Sequence, residues 1–234
     1  LPEMIRALKK AGKFVNIHTN GVKLADYAYT QSLKQAGLDH VSLQFDGFRD
    51  EIYETLRGGK LLETKMRALD NLKALGIPVT LNVTIAGGVN EDEWGKILDY
   101  VVRNDFIKDV SYITYCHYSP QGDAEGRSMM PDDLVIRLVE HSQGAIERED
   151  VVCFQKLFYA YLSAFRKKKC FNYYHYCVVR TSGGYRGIER YLDVRKIAGK
   201  IDACRERGQT MTKTLLLKIL LTSLRWDSVA LIPY

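Results

Sequence analysis

Hydrophobic and polar positions in the first half of the chain switch repeatedly between a helical period and a strand period. Apolar residues at three-to-four-residue spacing predict helices over Pro2–Lys10, Ala25–Gln35, Leu62–Leu75 and Asp92–Arg103. Alternating stretches between them predict strands over Phe14–Thr19, His40–Phe45, Val79–Ile85 and Val110–Cys116. Gly12, Gly37 and Gly76 stand at the expected helix exits, where a residue free to adopt positive φ ends the helix. Such α/β alternation calls for parallel strands joined by helical crossovers, and at this level a doubly wound sheet and a (β/α) barrel are both possible.

The alternation within the strands adds a second layer. Asn16, His18 and Asn20 share one side of their strand, as do Ser42, Gln44 and Asp46, and then Thr80, Asn82 and Thr84. An open sheet covered by helices on both faces needs apolar residues on both, whereas three successive strands with a polar side fit a barrel or half-barrel around a polar ligand. Mutual hydrogen bonding inside an ordinary core is the alternative for any one of these residues. The segments "HTNG", "FDG", "AGGVNEDE" and "CHYSPQGD" lie at the carboxyl ends of the four strands, where ligands of such folds bind.

Beyond Asp123 the alternation stops. Helices are expected over Pro131–Ile146, Leu192–Arg207 and Met211–Arg225, and the aromatic residues of Phe154–Lys169 recur at helical spacing, as packing would require. The reading is therefore two parts, an α/β core over residues 1–123 and a mainly helical extension over 124–234. Charge follows the same division, with 15 Lys and Arg against 16 Asp and Glu in the first part and 19 against 12 in the second. The basic run Arg166–Lys169 admits a nucleic-acid or anionic-lipid partner, but no nucleic-acid-binding module surrounds it, and a solvated helix end is the plainer reading. Five scattered cysteines do not form a secreted disulfide framework, and no secretory leader opens the chain, so a cytoplasmic location is expected. The apolar stretch Leu215–Leu221 is too short to span a bilayer and is interrupted by Lys218. Leu1 is not an initiator Met, and the sequence reads as a piece of a longer chain.

The segments "NIHTNG", "VSLQFDG", "YETLRGGKLLETKMRALDNLKALGIPV", "TIAGGVNEDEWGKIL" and "YSPQGD", in this order, resemble the later strands and helices of the radical S-adenosylmethionine (SAM) superfamily. The likeness covers about Leu1 to Asp123 and is nearest to the branch that contains the archaeal tetraether lipid synthases. It implies a partial (β/α) barrel, truncated at its amino end, that binds SAM and a [4Fe-4S] cluster at the strand carboxyl ends. The cluster cleaves SAM reductively, and the resulting 5′-deoxyadenosyl radical abstracts hydrogen from a small-molecule, lipid or peptide substrate. An electron donor such as flavodoxin or ferredoxin is implied as a partner.

By the same resemblance Asn20, Gln44 and Asp46 are expected near the methionine or ribose of SAM, with Asn82 and Thr84 adding polar contacts. Gly88, Val89 and Asn90 are expected beside the adenine, and Tyr115 and His117 near the adenine or the substrate. The family's CxxxCxxC loop and Gly-Gly-Glu-Pro motif do not occur in this sequence. Cys153, Cys170, Cys177 and Cys204 are the candidates for an auxiliary iron-sulfur cluster, although their spacing contains no CxxC pair and buried thiols are the competing reading. Two functions from other classes stand beside the enzyme: a degenerate SAM- or nucleotide-binding barrel without radical chemistry, and a structural or nucleic-acid-associated protein using the basic second half.

Overall fold

The structure is a computed structural model that describes residues 1–114, 130–168 and 174–229. The chain divides into two compact units, Leu1–Met130 and Pro131–Tyr234.

The first unit runs α1 (Pro2–Lys10), β1 (Asn16–Thr19), a short 3-10 turn (Val22–Ala25), α2 (Tyr27–Gln35) and β2 (His40–Gln44). It continues with α3 (Asp50–Arg57), α4 (Leu62–Ala74), β3 (Val79–Ile85), α5 (Trp94–Arg103) and β4 (Ile107–Thr114). Local chemistry fixes several boundaries. Pro2 opens α1, where its missing N–H costs nothing. The carboxylate of Asp26 caps α2 by accepting from Tyr29 N at 3.2 Å. Gly58, at φ 77°, ends α3 in the left-handed conformation.

The four strands form one parallel sheet in the order β1-β2-β3-β4. That order settles the choice between doubly wound sheet and barrel. A doubly wound sheet reverses strand order at a switch point, and none occurs among these strands. Right-handed crossovers that always step in the same direction keep their helices on one face. The apolar positions of the strands face that side: Val41, Leu43 and Phe45, then Val79, Leu81, Val83 and Ile85, are wholly buried. Leu33 of α2, Ala68, Leu69 and Leu72 of α4, and Ile97 of α5 are buried as fully. Each such side chain contributes about 1.5–3 kcal/mol of burial free energy. The other sheet face carries the polar alternates, as a barrel lumen requires.

The second unit holds α6 (Pro131–His141), α7 (Arg148–Ala164), the antiparallel hairpin β5 (Val178–Thr181) and β6 (Gly184–Gly187), α8 (Val194–Glu206), α9 (Lys213–Leu221) and α10 (Trp226–Val229). Leu157, Ala160 and Ala164 of α7 pack with Ile197 of α8 and with Leu216 and Ile219 of α9. A separate cluster joins Val135, Ile146 and Val151 to Tyr176, Val178 and Tyr185 of the hairpin region. Asp193 caps α8 and Thr212 caps α9 through their side-chain oxygens.

Several elements differ from the sequence expectation. α3 and the β5–β6 hairpin are additional. α6 stops at His141 rather than Ile146, because Gln143 and Gly144 take positive φ in the turn that follows. β4 begins at Ile107, three residues early, with Tyr115 and Cys116 outside the described residues. No described helix is long and apolar enough to cross a membrane.

Candidate functional site

The parallel register lines up the polar positions of neighbouring strands. His18 pairs with Ser42, Ser42 with Thr80, and Thr80 with Asp109; one step toward the carboxyl ends, Gln44 pairs with Asn82 and Asn82 with Ser111. The lower part of this face satisfies itself. Asn16 Nδ2 donates to Ser42 Oγ at 3.0 Å, and His40 Nε2 lies 2.9 Å from Thr80 Oγ1. Burial lowers the pKa of His40, while the Asp109 carboxylate acts in the opposite direction.

The upper rim is organised by two cations from helices. Lys65 of α4 is wholly buried, and its ammonium donates to the backbone carbonyls of Asn20 and Gln44, the latter at 3.0 Å, and to Gln44 Oε1 at 2.6 Å. One lysine thereby ties the exit of β1 to the exit of β2. Burial pulls its pKa down to about 8, with the Arg57 charge acting in the same direction and Asp46 against it. Gln44, its carbonyl oxygen held by Lys65, turns its amide Nε2 to Asp46 Oδ2.

Asp46, also wholly buried, receives Arg57 through two nitrogens, at 2.8 and 3.1 Å, and the backbone N–H of Thr84 at 3.1 Å. The second Arg57 nitrogen also donates to Thr84 Oγ1 at 2.8 Å. The Asp46 carboxylate raises the pKa of Arg57, so the guanidinium stays charged. A paired fork of this kind gives a buried carboxylate charge-assisted partners on both oxygens. Tyr53 closes the base, accepting from Asp46 N at 3.3 Å and donating to the Gly47 carbonyl at 2.9 Å. Burial raises its pKa, and the charge of Asp46 adds to the effect.

Beyond β3 the chain is held by Asn90, also wholly buried. Its Nδ2 donates to the carbonyls of Asp46 at 2.8 Å and Thr84 at 2.7 Å, and its Oδ1 accepts from Ala86 N at 2.8 Å. Glu93, equally buried, accepts from Phe48 N at 2.8 Å and from Lys96 Nζ at 2.7 Å. The exits of β2 and β3 are therefore stitched to each other and to the start of α5.

Among the residues expected to meet a ligand, Gln44, Asp46, Thr84 and Asn90 gather in this network, and the side chains of Asp46 and Asn90 are fully engaged inside it. Asn82 lies between them and differs: half-buried on the polar face beside Gln44, it makes no side-chain hydrogen bond with the described residues. Asn20 is exposed, with Oδ1 accepting from Val22 N at 3.2 Å, and borders a cavity of about 580 Å³ that His18, Leu1 and Tyr29 also line. Gly88 is exposed and Val89 half-buried in the turn before α5. Tyr115 and His117 lie outside the described residues.

The sequence reading missed Lys65 and Arg57. Lys65 did leave a signal, since it falls on the helical stripe of Ala68, Leu69 and Leu72, where a lysine must be buried with partners. Of the candidate metal ligands, Cys153 is buried against Val194 and Ala198, which raises its thiol pKa; Cys204 packs on the α7–α8–α9 core, Cys177 is exposed, and Cys170 lies outside the described residues. No group of three or more His, Cys, Asp or Glu among the described residues is arranged to hold a metal.

The model of the Radical SAM superfamily matches residues 1–101. The 7,8-dihydro-6-hydroxymethylpterin dimethyltransferase of Methanocaldococcus jannaschii is 36% identical over 157 residues, 64% of this chain and 31% of that protein. The GTP 3',8-cyclase of Peptoclostridium acidaminophilum is 30% identical over 118 residues, 49% of this chain and 35% of that protein. The PqqA peptide cyclase of Streptomyces rochei is 30% identical over 132 residues, covering 56% and 35% respectively. The chain thus spans about a third of the length of these relatives. Residues 1–101 thus match the Radical SAM superfamily in sequence, and the sequential parallel strands are consistent with that match.

Proposed function

We propose that this chain supplies the SAM-binding wall of a radical SAM enzyme. The observation that carries the reading is the amide of Asn82, held half-buried at the centre of a polar sheet face with no partner among the described residues. An amide that the protein leaves without a partner on such a face has hydrogen-bonding capacity that a ligand could take up. The neighbouring Gln44 is pinned by Lys65 and Asp46, so the face is preorganised before any ligand arrives.

The residues present fit SAM. Asn82 and Thr84 would meet its ribose or methionine from β3, Asn20 and Gln44 would meet it from the exits of β1 and β2, and the Gly88–Val89 turn would flank the adenine. When bound, SAM supplies hydrogen abstraction after reductive cleavage of its sulfonium. Asp46 and Asn90 act one step back. Asp46 fixes Gln44, Arg57 and Thr84, and Asn90 holds the β3 exit against the β2 exit. The described residues offer no ligand set for a [4Fe-4S] cluster.

The names of the relatives support a small molecule or a peptide as substrate. The test is anaerobic incubation of the complete protein with SAM and a reductant. Release of 5′-deoxyadenosine, lost on Asn82→Ala, is expected; a complete protein that binds SAM and never releases 5′-deoxyadenosine would contradict the radical reading.

A further inference from the structure

The second unit contains a cavity of about 620 Å³ between the start of α7, the end of β6, the start of α8 and the segment after α9. Its walls carry four carboxylates and four guanidiniums, which looks neutral until the partners are assigned. Every carboxylate is committed. Arg195 engages Glu147 at 2.6 Å and Asp150 at 2.7 Å, besides Glu149 at 3.0 Å. Asp193 caps α8 by accepting from Lys196 N at 2.9 Å, with Arg225 at 3.9 Å from its other oxygen. Glu189 accepts a hydrogen bond from the hydroxyl of Tyr176.

Three guanidiniums are left over. Arg186 of β6 and Arg190, in the turn before α8, have no carboxylate partner among the described residues, and Arg225 has a long contact to Asp193 and a through-space interaction with Glu189. They reach the cavity from two sides, Arg186 and Arg190 from the hairpin exit and Arg225 from the segment after α9. Gly187 lets the Glu189 carboxylate and the Tyr176 hydroxyl pack directly against its backbone, where a Cβ would displace them. All three are exposed, so solvent screens their mutual repulsion, and an anion entering the concave space between them would be attracted by each. Planar guanidinium forks match the oxygens of a phosphate in paired hydrogen bonds, and several together suit a dianion better than a single carboxylate. The volume lies in the range of small-molecule sites and exceeds what a lone phosphate fills.

We infer that this cavity is a binding site for an organic phosphate ester, held by Arg186, Arg190 and Arg225. The inference concerns the second unit alone and does not require that the first unit bind SAM. In the absence of any SAM, ribose 5-phosphate, ribose and malonate are each titrated into the full chain by calorimetry at constant ionic strength. Ribose 5-phosphate should bind saturably, with ribose silent and malonate at least about tenfold weaker. The double change Arg186→Gln and Arg190→Gln should weaken binding by at least about tenfold. Arg186→Lys, which keeps the charge and loses the fork, should fall between; Arg6→Gln on α1 and Asn82→Ala should leave binding unchanged. No saturable binding of ribose 5-phosphate, malonate bound as tightly, or a double variant that binds like the parent would each overturn the assignment. Arg186 and Arg190 have no partner to lose, so the variants should keep the parent's thermal melting curve.

Discussion

The ammonium of Lys65 donates to the backbone carbonyl of Gln44 at 3.0 Å and to Oε1 of the same residue at 2.6 Å. It therefore fixes both the path of the chain leaving β2 and the orientation of the amide that residue presents. A cation without solvent is acceptable there because carbonyl oxygens from two strand exits share it.

Replacing Lys65 with Met should leave these carbonyls buried without a donor and destabilise the chain by about 2–3 kcal/mol. The pH response gives the sign. The folded pKa, about 8, lies below the ordinary lysine value of 10.5, so the unfolded chain binds more protons between those values. The Lys65 contribution to stability is fully present above about 10.5 and is lost as pH falls through about 8. Urea unfolding of parent and Lys65→Met across this window should differ by a slope of up to about 1.4 kcal/mol per pH unit. Parallel curves would show that the ammonium is not strained by burial.

Arg57→Ala should cost about 3 kcal/mol, because it leaves the Asp46 carboxylate buried and short of its two strongest donors. Arg57→Lys should recover only part, since an ammonium cannot reproduce the fork that spans both Asp46 oxygens and Thr84 Oγ1. The double change Arg57→Leu with Asp46→Asn should be less destabilising than Arg57→Ala alone. Chemical denaturation of the three variants reads this directly.

Asn90→Ala removes the clamp between the exits of β2 and β3, two donated bonds and one accepted. A loss of about 2–4 kcal/mol is expected, with the turn at Gly88–Val89 gaining amide exchange before the strands do. Hydrogen exchange that rises uniformly along β3 instead would mean that Asn90 supports the sheet rather than the turn.

The sheet was legible in the sequence because β3 alternates without a break from Val79 to Ile85, and its polar positions predicted a face free of helices. The opening α1 was equally plain, with Pro2 before an amphipathic run. α3 was not, since Asp50–Arg57 is short and leads into two glycines that read as loop. The β5–β6 hairpin escaped for a similar reason: β6 consists of Gly184, Tyr185, Arg186 and Gly187, a segment whose strand character comes only from its partner. At the site, Gln44, Asp46, Asn82 and Thr84 could be found by alternation alone. What alternation could not reveal was the division of labour among them. Asp46 and Gln44 are held by Arg57 and Lys65, brought in from α3 and α4, and such non-local pairing leaves no period in the sequence.

The most direct test of the account is calorimetric titration of SAM into the chain, parent against Asn82→Ala, with Thr80→Val as a control lower on the same strand face. Binding to the parent, weakened at least about tenfold by Asn82→Ala and little changed by Thr80→Val, is the predicted result. Absence of SAM binding, or binding indifferent to Asn82, would contradict a ligand completing that amide.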